Sequence, residues 1–242
     1  MHDGVTSGGA KRRRFPVGAP ARIAVAATMA VQLSACTGGP STSQDTTTGR
    51  AATGPTTTGP RTSGLLPGLR TGPAPWPAET EHLAERMKAI GMPPLGRESV
   101  DVHIHQNLAV VVHGERVPVP LIGQVRPGTP RARFAEIHTH SDLGTIHVEA
   151  AARRHYTLGD VFDVWGVRFS WGPSRSARCL GTYCDGDQGQ IEVFLDGRPY
   201  PGDPTQLLLR DEQVIVVTYG VPGELPDPIP SRFRYERPIR SR

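Results

Sequence analysis

Six of the nine histidines in this 242-residue chain fall between His103 and His147, and five of those six sit in alternating runs. The runs are His103-Ile104-His105, His138-Thr139-His140, and His147 two residues before Glu149. On an extended strand, residues i and i+2 share one face about 6–7 Å apart. Directly opposed residues on paired strands lie about 4.5–5.5 Å apart. Imidazoles so spaced can reach a common ion with bonds of about 2.0–2.1 Å. Without an ion, five neighbouring imidazoles would repel one another as they protonate, so the pattern points to metal binding rather than to a solvated face that happens to hold histidine. Neutral imidazole with carboxylate suits Zn(II), Cu(II), Ni(II) or non-haem Fe(II), and not Ca or Mg. The candidate ligands are His103, His105, His138, His140 and His147, with Glu149 a further ligand or an orienting partner. Glu136 and Asp142 are carboxylates nearby. Zn or Cu is the expected ion, and five histidines exceed the three or four that one site needs. His113, eight residues beyond His105 and so about 26 Å along an extended strand, is too far away to join them.

These side chains converge only if the strands pair in one register. Ser141-Asp142-Leu143-Gly144 supplies a turn between two alternating runs. A four-residue loop sets His138 opposite His147, His140 opposite Thr145 and Glu136 opposite Glu149. A three-residue loop with a bulge would oppose Thr139 to His147 and split the cluster. The four-residue loop is preferred because it gathers Ile137, Ile146 and Val148 on the other face, and a buried face fixes register. In Val102–Val112 too, the histidines alternate with apolar Val102 and Ile104.

Further elements follow along the chain. Pro77 to Ile90 carries a helical stripe of Leu83, Met87 and Ile90 before Gly91, a short capping helix on which His82 faces solvent. His113-Gly114 and Asp196-Gly197 mark hairpin turns. Thr157 with Asp160 reads as a capping box, opening a helix whose buried stripe is Leu158, Val161, Phe162 and Trp165 and which Gly166 stops. Gln213–Tyr219 is a mostly apolar, central strand. Asp185-Gly186-Asp187 hints at calcium, but Gln190 stands where an EF-hand loop needs Gly, and a turn is expected instead. Strands outnumber helices and the connections read as hairpins. The expected fold is therefore α+β: a single domain, 76–230, of mainly antiparallel β-sheet with one or two short helices, a β-sandwich being the alternative. Residues 231–242 read as an irregular tail.

The formal charge of +4 invites a nucleic-acid partner. Five basic residues and one acidic residue lie in the first 35 positions, which leaves 22 of each, so no basic patch remains and no nucleic-acid binding is expected. Residues 1–35 instead look like an export signal: Lys11 to Arg14, then the apolar run Ile23 to Leu33, then Leu33-Ser34-Ala35-Cys36. The last four residues resemble the lipobox of bacterial lipoproteins, which implies that Cys36 carries lipid and holds the chain at the extracytoplasmic face of the cell membrane. An ordinary secretory signal is the alternative. Residues 36–75, rich in Thr, Gly and Pro, read as a disordered tether reaching about 35 Å from the anchor. Cys179 and Cys184 form an even pair, expected as a disulfide in an oxidising compartment and contributing on the order of 2 kcal/mol. A thiolate metal pair is the alternative, with a spacing unusual for zinc.

His-x-His before a Val run, His-Thr-His-x-x-x-Gly-x-Ile-His-Val-Glu, Thr-Leu-Gly-Asp-Val-Phe-Asp-Val-Trp-Gly, the Cys pair and a last strand ending Tyr219-Gly220 together resemble a group of exported bacterial proteins of uncharacterised activity. The resemblance spans roughly residues 83 to 220 and implies that these segments form one domain. Cupin spacing does not fit, since Glu149 follows His140 by nine residues with His147 between. The proposed strands are similar in arrangement to the His-x-His and neighbouring His of α-carbonic anhydrases, but nothing else of that family is present. No phosphate-cradling Gly loop, Gly-x-Ser-x-Gly elbow or His-Glu-x-x-His helix occurs. Three readings remain: a membrane-tethered protein that captures or buffers the metal, an enzyme using the same ion for hydrolytic or oxidative chemistry, and a metal-free interaction module whose histidines respond to pH.

Overall fold

Val102, His103, Ile104 and His105 alternate apolar and polar, as in a strand with two unlike faces, and an apolar run from Leu108 to Val112 follows. In a computed structural model of the protein, this run is the strand on which the main sheet is assembled. The structure describes residues 65–99, 101–126 and 128–235, which fall in one compact unit, and Cys36 and residues 1–35, read from sequence as an export signal, lie outside them. In chain order the elements are α1 (Leu83–Ala89), β1 (Val102–Val112), β2 (Glu115–Val117), β3 (Gln124–Val125), β4 (Arg133–Phe134), β5 (Ile137–His138), β6 (Thr145–Ala150), α2 (Leu158–Trp165), β7 (Phe169–Ser170), β8 (Cys179–Leu180), β9 (Tyr183–Cys184), β10 (Gln190–Leu195), β11 (Arg198–Pro199) and β12 (Gln213–Gly220). The result is α+β, a mainly antiparallel sheet with two short helices. No helix among the described residues is long and apolar enough to cross a membrane.

The seven-stranded sheet runs β11-β10-β12-β1-β6-β5, with β2 added to the far end of β1. One pairing departs from the hairpin expectation: β12 lies parallel to β1, with Leu108 beside Ile215 and Val110 beside Val217. That central position explains why β12 is buried along its whole length and reads as a continuous apolar run. One sheet face, including Leu108, Val110, Ile146, Val148, Ile215 and Val217, packs into the core with α1, α2 and the loops.

Local chemistry explains the elements that hold this frame. Thr157 Oγ accepts from the Asp160 amide and Asp160 Oδ2 from the Thr157 amide, so α2 opens on the expected capping box. Gly166 closes it at φ 84°. His113-Gly114 and Asp196-Gly197 both take positive φ, as two-residue type I′ hairpin turns require. Cys179 and Cys184, paired between β8 and β9, form a disulfide. Asp185 serves its turn by accepting from the Ile191 amide at 2.7 Å. Helix α1 is shorter than its sequence stripe, and it is fastened by Arg86, fully buried, which pairs with the Glu79 carboxylate and donates to the Asp163 and Val164 carbonyls.

The described parts of the segments read as tether and tail, residues 65–75 and 231–235, are joined to the sheet domain. Residues 65–75 belong to the packed unit: Arg70 bridges Val167, and Gly72 O accepts from the Thr182 amide and from Trp76 Nε1. Trp76 is buried in the core there. After β12 the chain is irregular but not detached. Leu225, Ile229 and Phe233 cover Ala109, Phe194, Val214 and Val216 on the second face of the sheet.

Candidate metal centre

The second face of the sheet carries the histidines. Its register is the one expected from the four-residue loop: His138 opposes His147, and His147 opposes His105 across the next strand pair. One rung therefore holds an imidazole from each of β5, β6 and β1. The adjoining rung sets His103 opposite Glu149. His140 lies just past β5, where the chain leaves the sheet, so the expected pairing of His140 with Thr145 is not made and the connection runs wider than four residues. Its ring still comes back over the cluster, 4.5 Å from the His147 ring centre and 4.8 Å from that of His138.

One donor atom from each of His138, His140, His147 and Glu149 lies within 4.8 Å of the other three, and the same holds for His103, His105 and His147. All six expected ligands are thus brought into two overlapping groups. Of the neighbouring carboxylates, Glu136 accepts from the Tyr156 hydroxyl and faces Arg154 instead, and Asp142 stays exposed in the loop. His113 is elsewhere, against Glu224 and Tyr219. His82 is half-exposed beside Glu79; these two with Glu81 form a third group of possible donors. The Glu79 carboxylate is taken up by Arg86 and by the Glu81 and His82 amides, which accounts for it as structure.

Loop 118–124 sets the His138–His140 segment in place. Thr139, buried between the two histidines, donates to the Pro120 carbonyl and accepts from the Ile122 amide, while Gln124 Nε2 donates to the Thr139 carbonyl at 2.6 Å. His138 is buried. Its Nδ1–H donates to the Ala135 carbonyl at 2.9 Å, which leaves Nε2 with its lone pair directed into the cluster. Nε2 of His140 lies 3.2 Å from that atom. The His103 ring packs 4.5 Å from that of His105, and Nε2 of His105 is buried with no hydrogen-bond partner among the described residues.

Burial favours the neutral form of three of these imidazoles, His105, His138 and His140. Desolvation, opposed by the Ala135 hydrogen bond and reinforced by His140, pushes His138 down to about 4. Desolvation and the charge of His147 lower His105 and His140 as well. Burial raises the Glu149 carboxyl, but the His147 ring, with Nδ1 3.4 Å from Oε1, and the positive charge that His138 and His103 carry when protonated outweigh that and hold it below the usual carboxylate range. Neutral imidazoles beside an ionised carboxylate are the protonation states a transition metal requires of its ligands.

Three contributors had no signal in the alternating pattern. Glu98, in the loop before β1, places Oε1 at 3.2 Å from His140 Nε2 and 3.5 Å from His138 Nε2. Asp211 accepts from the His105 amide and stands 3.9 Å from His105 Nδ1. Tyr235 lays its ring 5.0 Å from His105 and 6.2 Å from His147. It is delivered there by Arg234, whose backbone makes two hydrogen bonds with the Asn107 side chain at 2.7 and 3.0 Å. Only Asn107 could have been suspected, as the next polar residue after His103 and His105 on the same face. No family model matches this sequence, and no curated protein or solved structure matches it.

Proposed function

We propose that the protein is a membrane-tethered, extracytoplasmic lipoprotein that binds a transition metal, Zn or Cu, and captures or buffers it through His103, His105, His138, His140, His147 and Glu149. One observation carries the reading: donor atoms of His138, His140, His147 and Glu149 lie within 4.8 Å of one another, drawn from both edges of a hairpin and held by backbone contacts. Five imidazoles offer nitrogen donors that suit these ions, and the carboxylate offsets their charge. The Lys11–Arg14 cluster, the apolar run and the small residues before Cys36 support lipidation and export. The Cys179–Cys184 disulfide agrees with an oxidising compartment.

Metal analysis of the purified full chain tests this. Wild-type protein incubated with Zn(II) or Cu(II) and desalted should retain the ion in stoichiometric amount, and His138→Ala with His147→Ala should lose at least tenfold in affinity. A wild type that stays metal-free would leave the interaction-module reading. Radiolabelled palmitate should follow Cys36 and disappear in Cys36→Ser; label surviving that change would remove the anchor. A second reading, catalysis, draws on the partial exposure of His103 and His140, which would let water reach a bound ion. An open coordination position in the loaded protein would favour it, and a closed shell would favour capture.

A further inference from the structure

The cluster contains more donors than one ion takes, and they divide. Nε2 of His138, Nε2 of His140 and Oε1 of Glu98 are separated by 3.2, 3.2 and 3.5 Å. A tetrahedral ion with bonds of about 2.0–2.1 Å has ligand atoms about 3.3–3.4 Å apart, so these three form one face of such a tetrahedron. Glu149 lies between this triangle and the other histidines. Its Oε2 is 4.0 Å from His138 Nε2, while its Oε1 is 3.1 Å from His103 Nε2 and 3.4 Å from His147 Nδ1. The second pair of distances again matches tetrahedral edges. His105 completes this half: its Nδ1 is toward Asp211, and its Nε2 is buried with no hydrogen-bond partner among the described residues. A buried polar atom without a partner is uncommon in folded proteins, and an ion bound here would satisfy both His105 Nε2 and His147 Nδ1, the other unpartnered ring nitrogen of this half among the described residues.

We infer that the site is dinuclear: Glu98, His138, His140 and one oxygen of Glu149 hold a first ion, and His103, His105, His147 and the other oxygen of Glu149 hold a second. This rests on the metal-binding reading above and adds to it the stoichiometry, a bridging role for Glu149 and a ligand, Glu98, outside the histidine pattern. Each half has four donors without any atom serving twice. A shared carboxylate reduces the repulsion between two divalent ions at the separation of about 3.5–4 Å usual for paired sites. The two glutamates supply two of the four negative charges that would neutralise the pair, and Asp211 adds a third at the outer edge.

Zn(II) titration of the chelator-stripped full chain, followed by desalting and elemental analysis, separates the possibilities. Two ions per wild-type chain are expected. His105→Ala should retain one, Glu98→Gln with His140→Ala should retain one, and His82→Ala should retain two. Glu98 is partly exposed, so Glu98→Gln alone is expected to keep the wild-type unfolding temperature without metal, and it should weaken one of the two ions tenfold or more while leaving the other unchanged. A single ion in the wild type overturns the dinuclear site and leaves the proposed function standing; no ion overturns both. A second ion lost with His82 rather than with His105 or His140 would place it at Glu79 and Glu81 and also overturn the inference. With two equivalents of Cu(II), the electron paramagnetic resonance intensity should fall well below that of two isolated ions and recover in Glu149→Gln. Full intensity in the wild type would show the ions unbridged.

Discussion

His138 shows how one side chain can be committed by its surroundings before any ion arrives. The Ala135 carbonyl can only accept, so the ring keeps its proton on Nδ1 and offers Nε2. Burial then holds the ring neutral, with its pKa down at about 4 against an ordinary 6.5. The consequence for stability has a definite sign. Between pH 6.5 and about 4 the unfolded chain takes a proton at this residue that the folded chain refuses, so stability is fully present above 6.5 and is lost as the pH falls through that window. The loss from this residue is roughly 3 kcal/mol at about 1.4 kcal/mol per pH unit. His105 and His140, lowered for the same reason, act in the same direction. Urea unfolding of the metal-free protein at pH 7.5 and pH 5 should therefore show a lower midpoint in acid. His138→Asn keeps a donor for Ala135 but cannot titrate, and it should flatten that slope while costing on the order of 1 kcal/mol at neutral pH. An equal slope in wild type and variant would mean that His138 is not held neutral.

At the scale of elements, the site depends on the β5–β6 connection lying tight against β1. Gly144 makes this possible: its φ is +94°, a Cβ there would fall 2.3 Å from the Leu108 carbonyl oxygen, and its own carbonyl accepts from the Leu108 amide at 2.8 Å. Gly144→Ala should cost 2 kcal/mol or more, from strain of about 1–2 kcal/mol plus the backbone clash. It should also weaken metal binding, because β5 carries His138. Gly128, with φ +69° and no described residue near its Cβ position, is the control: Gly128→Ala should cost about 1 kcal/mol and leave metal affinity unchanged. Thermal unfolding and metal titration of both variants read these effects, and equal losses of affinity would show that the hairpin does not position the site. The same scale explains what was legible in the sequence. The hairpin register could be read because Ile137, Ile146 and Val148 must share the core face, which forces His138, His147 and Glu149 onto the other. The capping box of α2 could be read because its chemistry is local. The parallel pairing of β1 with β12 could not, since it joins residues more than a hundred positions apart and leaves no periodic trace. Glu98, Asp211 and Tyr235 were missed for the same reason: each reaches the cluster from a loop or the tail, where side-chain direction follows tertiary packing and not alternation. Leu225, Ile229 and Phe233 are spaced by four, but with Pro226, Pro228 and Pro230 among them no helix could form, so the spacing gave no hint of their cover over the sheet.

Across the whole molecule, the proposed ligands tie together parts of the chain that otherwise meet only through the sheet: the loop at residue 98, β1, the β5 edge and β6. An ion bound to the folded state alone stabilises it by mass action, about 2.7 kcal/mol at a free concentration 100 times Kd. Since β5 is a two-residue edge strand and Glu98 lies in a loop, this stabilisation should fall most heavily where the metal-free protein opens first. Zn(II) should thus raise the unfolding temperature progressively with concentration, and a chelator should reverse the rise. Amide exchange should slow around residues 98, 135–140 and 145–149 more than along β10 and β12. The β12 amides are buried at the sheet centre, so their exchange should require global unfolding and slow only in step with overall stability. A uniform change at all amides would mean the ion acts through global stability alone. No change in unfolding temperature at saturating Zn(II) would remove the metal from the account of this fold.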